Sequence, residues 1–351
     1  MKRILPLLLA TVLLCSHDLY LKMDTYLLAP NQTATLSLYN GTFDNSENTI
    51  TRDRMLDASV VAHGRRTAID AREWTDRDST VTYLAFDAGK AGTYVAGVST
   101  KARNIALTAD KFNNYLEHDG VLDMLQRRTS EGLLDQDALE SYEKHVKAIY
   151  QVGDVTTDDW RTKLGYPIEM VPLTNPYKRY SGQQLAVQLL LDGEPLPEQL
   201  VYADYLPTHA TPEGHTHDHT HSSSSEAHTH EHEHSEEGHQ HTHDERAADT
   251  HTHTSGQQLR TDEQGVIIVD LPEDGIYYLR TIHMTTADDS DELTHRSKWA
   301  TLTFEVTHEH GAGTHTHDHP HDHEAGIPTW VFVLGSVVIV GILFLVFRTT
   351  D

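Results

Sequence analysis

The sequence predicts a mainly β protein with two β-sandwich domains of the immunoglobulin or prealbumin kind. It also predicts a helical insertion, a disordered His-rich loop and one C-terminal transmembrane helix. Three observations support this fold class. Short alternating runs of apolar and polar residues, separated by turn residues, recur through the chain and are typical of strands. Residues 206–258 contain almost no apolar side chains, and residues 327–347 form an uncharged, mostly aliphatic run.

Residues 1–16 have the composition of a secretory signal peptide. Lys2 and Arg3 precede an apolar run, which Cys15 and Ser16 follow. Cleavage after Ser16 makes His17 the first residue of the mature chain. Cys15 also allows a lipoprotein signal, although the two bulky leucines before it fit such a signal poorly. Because Cys15 is the only cysteine, a chain cleaved after Ser16 has no disulfide and no thiolate ligand.

The first predicted domain, residues 17–152, is a β-sandwich with a helical segment at 109–150. Its alternating runs predict strands at 34–39, 58–62, 80–86 and 94–98. The helical segment is predicted to contain helices at 109–117, 121–128 and 137–150. In the last of these, Leu139, Tyr142, Val146 and Ile149 recur every three or four residues, as on the apolar face of an amphipathic helix.

A polar boundary at 153–160 leads to the second predicted domain, an immunoglobulin-like unit at 161–307. Its predicted strands lie at 168–171, 184–191, 199–205, 266–271, 276–283 and 300–306. The His-rich insertion at 206–258 interrupts this domain. Because it has so few apolar side chains to bury, it cannot offset the entropy of ordering, and we expect it to be disordered.

Residues 308–326 are predicted to be a His-rich tether, residues 327–347 a transmembrane helix and residues 348–351 a cytoplasmic tail. At 1.5 Å per residue the helix crosses a hydrocarbon core about 30 Å thick. Trp330 suits one interface and Arg348 the cytoplasmic side. The body then lies outside the cytoplasm, on the periplasmic or cell-surface side. The alternative is a buried helix of a soluble protein, but nothing follows it to pack against.

The formal net charge of -26 disfavours binding to nucleic acid and to anionic lipid headgroups, and it attracts cations. The sequence also contains no nucleophile elbow, phosphate-binding loop or cysteine nucleophile of the kind that marks common enzyme classes. These observations predict a binding protein rather than an enzyme.

Histidine is concentrated in two tracts, 209–253 and 308–323, which hold 21 of the 27 histidines, mostly as H-x-H pairs among Asp, Glu, Thr and Ser. Imidazole is a common ligand for Zn, Ni, Co and Cu, and nearby carboxylates attract cations. The candidate metal ligands of the tracts are His215, His217, His219, His221, His228, His230, His232, His234, His239, His241, His243, His251, His253, His315, His317, His319, His321 and His323.

In an extended chain, residues two apart point the same way and lie about 6.6 Å apart, so two imidazoles can converge on one ion. Many similar ligand sets then compete for each ion. The tracts are predicted to bind several ions loosely and to release them as His protonates near pH 6.5. The alternative is a solvated, pH-responsive linker with incidental metal affinity.

His230, Glu231 and His234 match the letters of the zinc-protease motif H-E-x-x-H. That motif needs a packed helix that holds both histidines on one face. No apolar stripe surrounds these residues, so the match does not indicate a protease.

Several short segments of the body carry a family resemblance: His17-Asp18-Leu19-Tyr20-Leu21, Asn40-Gly41-Thr42-Phe43, Ser46-Glu47-Asn48, Gly92-Thr93-Tyr94-Val95, Lys144-His145-Val146-Lys147-Ala148, Gly165-Tyr166-Pro167 and Trp299-Ala300-Thr301-Leu302-Thr303-Phe304. In this order and spacing they resemble bacterial extracytoplasmic domains of unknown function known as nickel-uptake substrate-specific components. The resemblance covers most of residues 19–306. It implies a binding role in Ni or Co uptake, with a His-Asp pair at the start of the mature chain.

Two features depart from the pattern of that family. Tyr20 stands where many relatives have Trp or Phe, and the long His-rich insertion is not part of the family's core. The insertion is therefore consistent with a local adaptation toward Zn or Cu.

His17 is the residue of the body that we single out as a ligand. After cleavage behind Ser16, its α-amino group, its imidazole and the carboxylate of Asp18 can together chelate one ion. The alternative is a frayed N-terminus, because first residues are often mobile unless they are tied down.

The sequence thus predicts a membrane-anchored, extracytoplasmic protein that captures divalent transition-metal ions, Ni, Co or Zn, and supplies them to a metal-transporter permease. One alternative is a metal buffer against excess Zn or Cu. Another is a structural β-sandwich protein whose His-rich segment is a pH-responsive spacer.

Overall fold

The computed structural model describes residues 17–208 and 255–309, and this part of the chain is dominated by strands. The mainly β fold with several sheets and two helices is therefore confirmed. The predicted signal peptide, transmembrane helix and cytoplasmic tail lie outside the described residues, as do residues 209–254 of the insertion and 310–326 of the tether. Within the described ranges, no helix has the length and apolar character needed to cross a membrane.

The described strands, in chain order, are β1 (Asp18–Lys22), β2 (Leu27–Leu28), β3 (Thr33–Gly41), β4 (Met55–Ala62), β5 (Arg65–Ala68), β6 (Thr75–Arg77), β7 (Val81–Asp87), β8 (Gly92–Thr100), β9 (Arg103–Leu107), β10 (Ala138–Val152), β11 (Ile168–Pro172), β12 (Gln183–Leu191), β13 (Glu194–Pro195), β14 (Leu200–Pro207), β15 (Gln257–Arg260), β16 (Val266–Leu271), β17 (Gly275–Thr286) and β18 (His295–Val306). The helices are α1 (Ala109–His118) and α2 (Leu122–Ser130).

These strands form three sheets. The first has the order β1-β3-β7-β6. The second has ten strands, with the order β15-β14-β17-β18-β10-β8-β4-β5, and β2 and β9 also pair with β10. In the third, β12 pairs with β11, β13 and β16.

The ten-stranded sheet carries a hydrophobic core on each face. Alternate residues of β10 point to opposite faces, so Val146 packs with Leu38 of the first sheet, while Ile149 packs with Leu185 of the third. A strand covered on both sides has no solvent-facing positions. This explains why every residue of β8 is buried. The two helices form a third cluster, in which Phe112 packs near Trp299.

The predicted helix at 137–150 is wrong, because this segment is the strand β10. Val146 and Ile149, which suggested one helical face, belong to cores on opposite faces of the sheet. The misleading signal was the spacing of three or four residues, which a strand with apolar residues on both faces also produces. Lys144 and Lys147 of this strand are buried as well.

The two predicted domains contribute strands to the same ten-stranded sheet. They meet where β10 pairs with β18 in parallel, with Lys144 opposite Trp299. The predicted edges of the insertion also need correction. Leu206 lies in β14 and pairs with Ile276, while Gln257 lies in β15 and pairs with Ala203. Residues 206–207 and 257–258 of the predicted insertion therefore belong to strands.

Candidate metal centre

His17 is held at the start of β1. The next residue, Asp18, pairs with Gly41 of β3, and the buried Lys144 donates a hydrogen bond from Nζ to the carbonyl oxygen of His17. The side chain of His17 is only 16% exposed. The first residue of the predicted mature chain is therefore tied to the sheet on its backbone and its side chain, which argues against the frayed alternative.

The side chain that faces the His17 imidazole is Glu47, whose Oε2 lies 3.2 Å from Nε2. A tight loop after β3 places it there. The amide of Glu47 donates to the carbonyl oxygen of Asn40 at 3.0 Å, and the Ser46 hydroxyl accepts from the Asn40 amide at 3.0 Å. Gly41 is needed in this loop, because a Cβ there would lie 2.3 Å from the carbonyl oxygen of Asn45.

The contact with Glu47 orients the ring of His17 and bears on its tautomer. An ionised carboxylate only accepts hydrogen bonds, so a neutral His17 ring carries its proton on Nε2. In an N-terminal histidine, Nδ1 and the α-amino nitrogen can together close a six-membered chelate ring around an ion.

Asp18, predicted as the third donor of this chelate, has an internal role instead. Its carboxylate is 1% exposed and lies 3.4 Å from Nε of Arg280, and the Tyr20 hydroxyl donates to it at 3.0 Å. Neighbouring residues of a strand point in opposite directions, so His17 and Asp18 do not share a face. Binding of an ion by Asp18 would require a buried ion pair to break.

The interior around Asp18 contains further charged groups. Arg280 also donates from Nη2 to the backbone oxygen of Asp119 at 2.8 Å. Burial lowers the pKa of Lys144 to about 8 and raises the pKa of Glu140 to about 7. The Lys144 ammonium lies 4.8 Å from the centroid of the Trp299 ring, which stabilises a buried cation. These groups have partners within the protein and serve the packing of β1 against β10 and β18.

Another histidine with a carboxylate partner, His308, follows the end of β18. His308 Nδ1 is 2.5 Å from Oδ2 of Asp274, and the Ser181 hydroxyl donates to the other carboxylate oxygen at 2.6 Å. The amide of Thr208 donates to the Asp274 carbonyl oxygen at 3.3 Å. Thr208 directly precedes the first His-rich segment, and His308 begins the second. The structure therefore brings the start of both tracts to one turn.

The remaining predicted ligands, from His215 to His323, lie outside the described residues, as does the H-E-x-x-H segment. Within residues 17–208 and 255–309, no three His, Cys, Asp or Glu side chains are arranged to hold one metal ion. His145 is a buried residue whose Nδ1 is 2.9 Å from the Ser99 hydroxyl. His283 contacts Gln199 through Nδ1 at 2.9 Å.

Sequence reasoning missed Glu47, Asp274 and His308 as site residues. Glu47 is 30 positions from His17, and only the pairing of β1 with β3 brings the two together. His308 was counted with the tether, and Asp274 was not singled out as a site residue. The one available signal was that His308 stands at the end of a predicted strand, where it could be held by the fold.

Three solved structures illustrate the similarity of this chain to known proteins, each at low identity. The Yersinia pseudotuberculosis adhesin InvE is 12% identical, with 82% of this chain and 58% of the adhesin covered and a TM-score of 0.18. The D0-D1 domain of intimin is 9% identical, with coverages of 83% and 97% and a TM-score of 0.17. Trypsin-activated alpha-2-macroglobulin from Escherichia coli is 8% identical, with coverages of 83% and 16% and a TM-score of 0.20. TM-scores this low carry no argument about fold or function.

No curated protein sequence matches this chain significantly. The family model described as "Domain of unknown function (DUF4198)" matches residues 14–285, which is most of the chain and includes His17, Glu47 and Asp274. The protein therefore belongs to the DUF4198 family of domains of unknown function.

Proposed function

We propose that this protein is a membrane-anchored, extracytoplasmic binding protein that captures divalent transition-metal ions, Ni, Co or Zn, and supplies them to a membrane transporter. The observation that carries the proposal is the concentration of 21 of the 27 histidines in two short tracts. The net charge of -26 supports it, because a strongly acidic protein attracts cations. Because Cys15 is the only cysteine, the chain offers no thiolate ligand once the predicted signal peptide is removed. This favours metals that bind imidazole, and it disfavours Cu(I), which prefers sulfur ligands.

The proposal distinguishes two classes of site. The tracts supply many similar H-x-H pairs, which bind several ions weakly and exchange them quickly. The start of β1 supplies one more organised chelate, made of the α-amino group and Nδ1 of His17. The 3.2 Å contact between Nε2 and Glu47 supports this second site, and the burial of Asp18 beside Arg280 favours two donors over the three that the sequence predicts.

Delivery to a transporter rests on the predicted transmembrane helix at 327–347 and on the resemblance to nickel-uptake components. Fast exchange from the tracts suits hand-over to a permease. The same weak, numerous sites also favour the second candidate function, a buffer against excess Zn or Cu. Deleting the gene distinguishes a supplier of metal ions from a buffer. A supplier predicts a fall in cellular Ni or Co accumulation at low external metal, whereas a buffer predicts sensitivity to high Zn or Cu with uptake unchanged.

Equilibrium dialysis of the purified protein tests the metal-binding role itself. Several equivalents of Zn or Ni should bind at pH 7.5. Binding should collapse below about pH 5.5, because protons compete for the imidazoles as pH falls through their unperturbed pKa of about 6.5.

The matched control is a chain of unchanged length in which Ser replaces the tract histidines. It should lose most of the stoichiometry while it keeps its secondary structure by circular dichroism. Binding of one equivalent or fewer by the unaltered protein at pH 7.5 would contradict the proposal.

A further inference from the structure

A cavity of about 260 Å³ lies where β2, the end of β10 and the end of β18 come together. Its wall includes Leu27 of β2, Glu305 of β18, and Tyr177, Arg179 and Tyr180 of the turn before β12. Two aromatic rings and one aliphatic side chain therefore accompany a cation and an anion. A concave site with apolar walls and a few polar groups is the usual form of a small-molecule binding site.

Arg179 is the cationic group of this wall. Its Nε donates to the Thr174 hydroxyl at 3.2 Å, which holds the side chain in place. Within residues 17–208 and 255–309, its two terminal nitrogens have neither a hydrogen-bond partner nor a carboxylate partner. A guanidinium can bind a carboxylate through two parallel N–H bonds, so Arg179 retains the capacity to bind a carboxylate of a ligand.

Glu305 is the anionic group at the inner end of the wall and is only 7% exposed. Its Oε2 accepts hydrogen bonds from the Tyr26 amide at 2.6 Å and from the Thr25 hydroxyl at 2.9 Å. In the described part of the chain, Oε1 has no such donor, and Glu305 does not form an ion pair with Arg179. A carboxylate this enclosed gains from a cationic partner, and the cavity leaves room for one.

The charges around the cavity favour a ligand that carries both signs. Asp154 also lines the cavity, so a simple anion would meet two carboxylates as well as Arg179. A simple cation would meet the guanidinium. The rim is apolar, since Leu27 is 39% exposed and Val155, in the loop that contains Asp154, is 58% exposed. Exposed apolar side chains beside a cavity indicate that the ligand also has an apolar part.

We propose that this cavity binds a small apolar α-amino acid, with its carboxylate on Arg179, its ammonium group on Oε1 of Glu305 and its side chain against Leu27. The volume sets the size of the ligand. At about 30 Å³ per molecule of liquid water, 260 Å³ corresponds to roughly nine water-sized groups, which is the size of leucine. The site lies outside the His-rich tracts and uses no metal ion, so it goes beyond the proposed metal-binding function.

Isothermal titration calorimetry with L-leucine tests the proposal on the full-length protein in detergent. The protein is first freed of metal, because an amino acid can itself chelate a bound ion. We expect one equivalent of L-leucine to bind. Leucinamide lacks the carboxylate and isocaproate lacks the ammonium group. Each should bind at least about tenfold more weakly than L-leucine, because each loses a charge-assisted hydrogen bond.

Two variants test the assigned side chains. Arg179→Gln and Glu305→Gln should each lower the affinity for L-leucine at least about tenfold. Gln at position 305 keeps an oxygen that can accept from the Tyr26 amide, and unfolding midpoints establish whether the fold is kept. The matched control is Lys178→Gln. Lys178 is an exposed cation next to Arg179 in the chain and lies outside the described wall of the cavity, so its loss should change the affinity less than about twofold.

A second control addresses the other side of Arg179, which also borders a more open depression that contains Asp270. Asp270→Asn should leave the affinity for L-leucine unchanged. A loss equal to that of Glu305→Gln would place the ligand in that depression and overturn the assignment.

The inference is also overturned if L-leucine does not bind, or if leucinamide and isocaproate bind as tightly as L-leucine does. An effect of Arg179→Gln no larger than that of Lys178→Gln would have the same consequence. The comparison of the three ligands uses the unaltered protein, so it decides the question even if Glu305→Gln does not fold. None of these results bears on the binding of metal ions by the tracts.

Discussion

The two acidic residues near His17 lie in opposite environments. Asp18 is buried beside Arg280, at 1% exposure, on the inner side of β1. Glu47 is 46% exposed and faces the His17 ring from the outer side. A buried carboxylate must be neutralised within the protein, because its loss of hydration is costly, whereas an exposed one can remain available to a metal-bound histidine. Closeness in sequence therefore does not identify the carboxylate that contacts the His17 ring.

The two buried lysines of β10 show the same rule on opposite faces of the sheet. Lys147 lies 3.1 Å from Glu169, which also accepts a hydrogen bond from the amide of Leu164 at 2.9 Å. Lys144 donates to the backbone of His17 and lies against Trp299. Each of these two buried lysines therefore has a specific partner in the protein. The inner and outer sides of β1 should consequently respond differently to mutation.

The largest effect is expected on the inner side. Asp18→Ala leaves the buried Arg280 without its carboxylate, and we expect it to lower the free energy of unfolding by about 3–5 kcal/mol. Urea unfolding at pH 7 measures this. Asp158→Ala is the control, because Asp158 pairs with Arg161 at 2.9 Å but is 76% exposed, and it should cost less than about 1 kcal/mol. Similar losses in the two variants would contradict the distinction between the sides.

A smaller effect, on affinity rather than stability, is expected on the outer side. In a chain with Ser in place of the tract histidines, including His308, one ion should still bind. His17→Ala should weaken its binding at least tenfold, which corresponds to about 1.4 kcal/mol. Glu47→Ala should weaken binding of this ion roughly tenfold, because the His17 ring is then no longer held in one tautomer and orientation. Isothermal titration calorimetry with Ni²⁺ measures both changes.

One extra residue before His17 is the control for the α-amino group. It moves the amine away from the chelate and leaves the imidazole in place, so it should harm binding as much as His17→Ala does. If calorimetry detects no binding, or if none of these changes alters it, the body has no site at His17. The metal chemistry would then belong to the tracts.

The strands of the second half were predictable because their signals are local. The expected strands at 168–171 and 184–191 coincide with β11 and β12, where apolar residues alternate and turn residues follow. β10 was not predictable in this way. Its register on β18 joins residues such as Glu140 and His295, which are far apart in the chain, and its apolar residues on both faces imitate the spacing of an amphipathic helix.

The candidate site was predictable only in its first member. His17 follows from its position behind the predicted signal peptide, whose composition is a local sequence pattern. Glu47 depends on the register of β1 against β3, and Asp274 depends on the turn that receives both Thr208 and His308. Such pairings are set by sheet geometry, and no local pattern of residues encodes them.

The smallest effect is expected from removal of residues 209–254, which contain the first tract. Residues 209–254 follow β14 and precede β15, which pair in an antiparallel hairpin with Ala203 opposite Gln257. Replacing them with about six Gly and Ser residues should span the gap at about 3.3 Å per residue. Because both strands keep their partners, we expect the unfolding midpoint of the metal-free protein to change by less than about 2 °C.

The control is the deletion of 206–258 with the same linker. It also removes Leu206, which pairs with Ile276, and Gln257 and Gln258, which pair with β14. This variant should therefore unfold at a clearly lower temperature, since a paired edge of the ten-stranded sheet is lost. Differential scanning calorimetry compares the two deletions. An equally large fall in both midpoints would mean that the His-rich segment contributes to the packing of the body, and the separation of a stable β body from a metal-binding tract would be wrong.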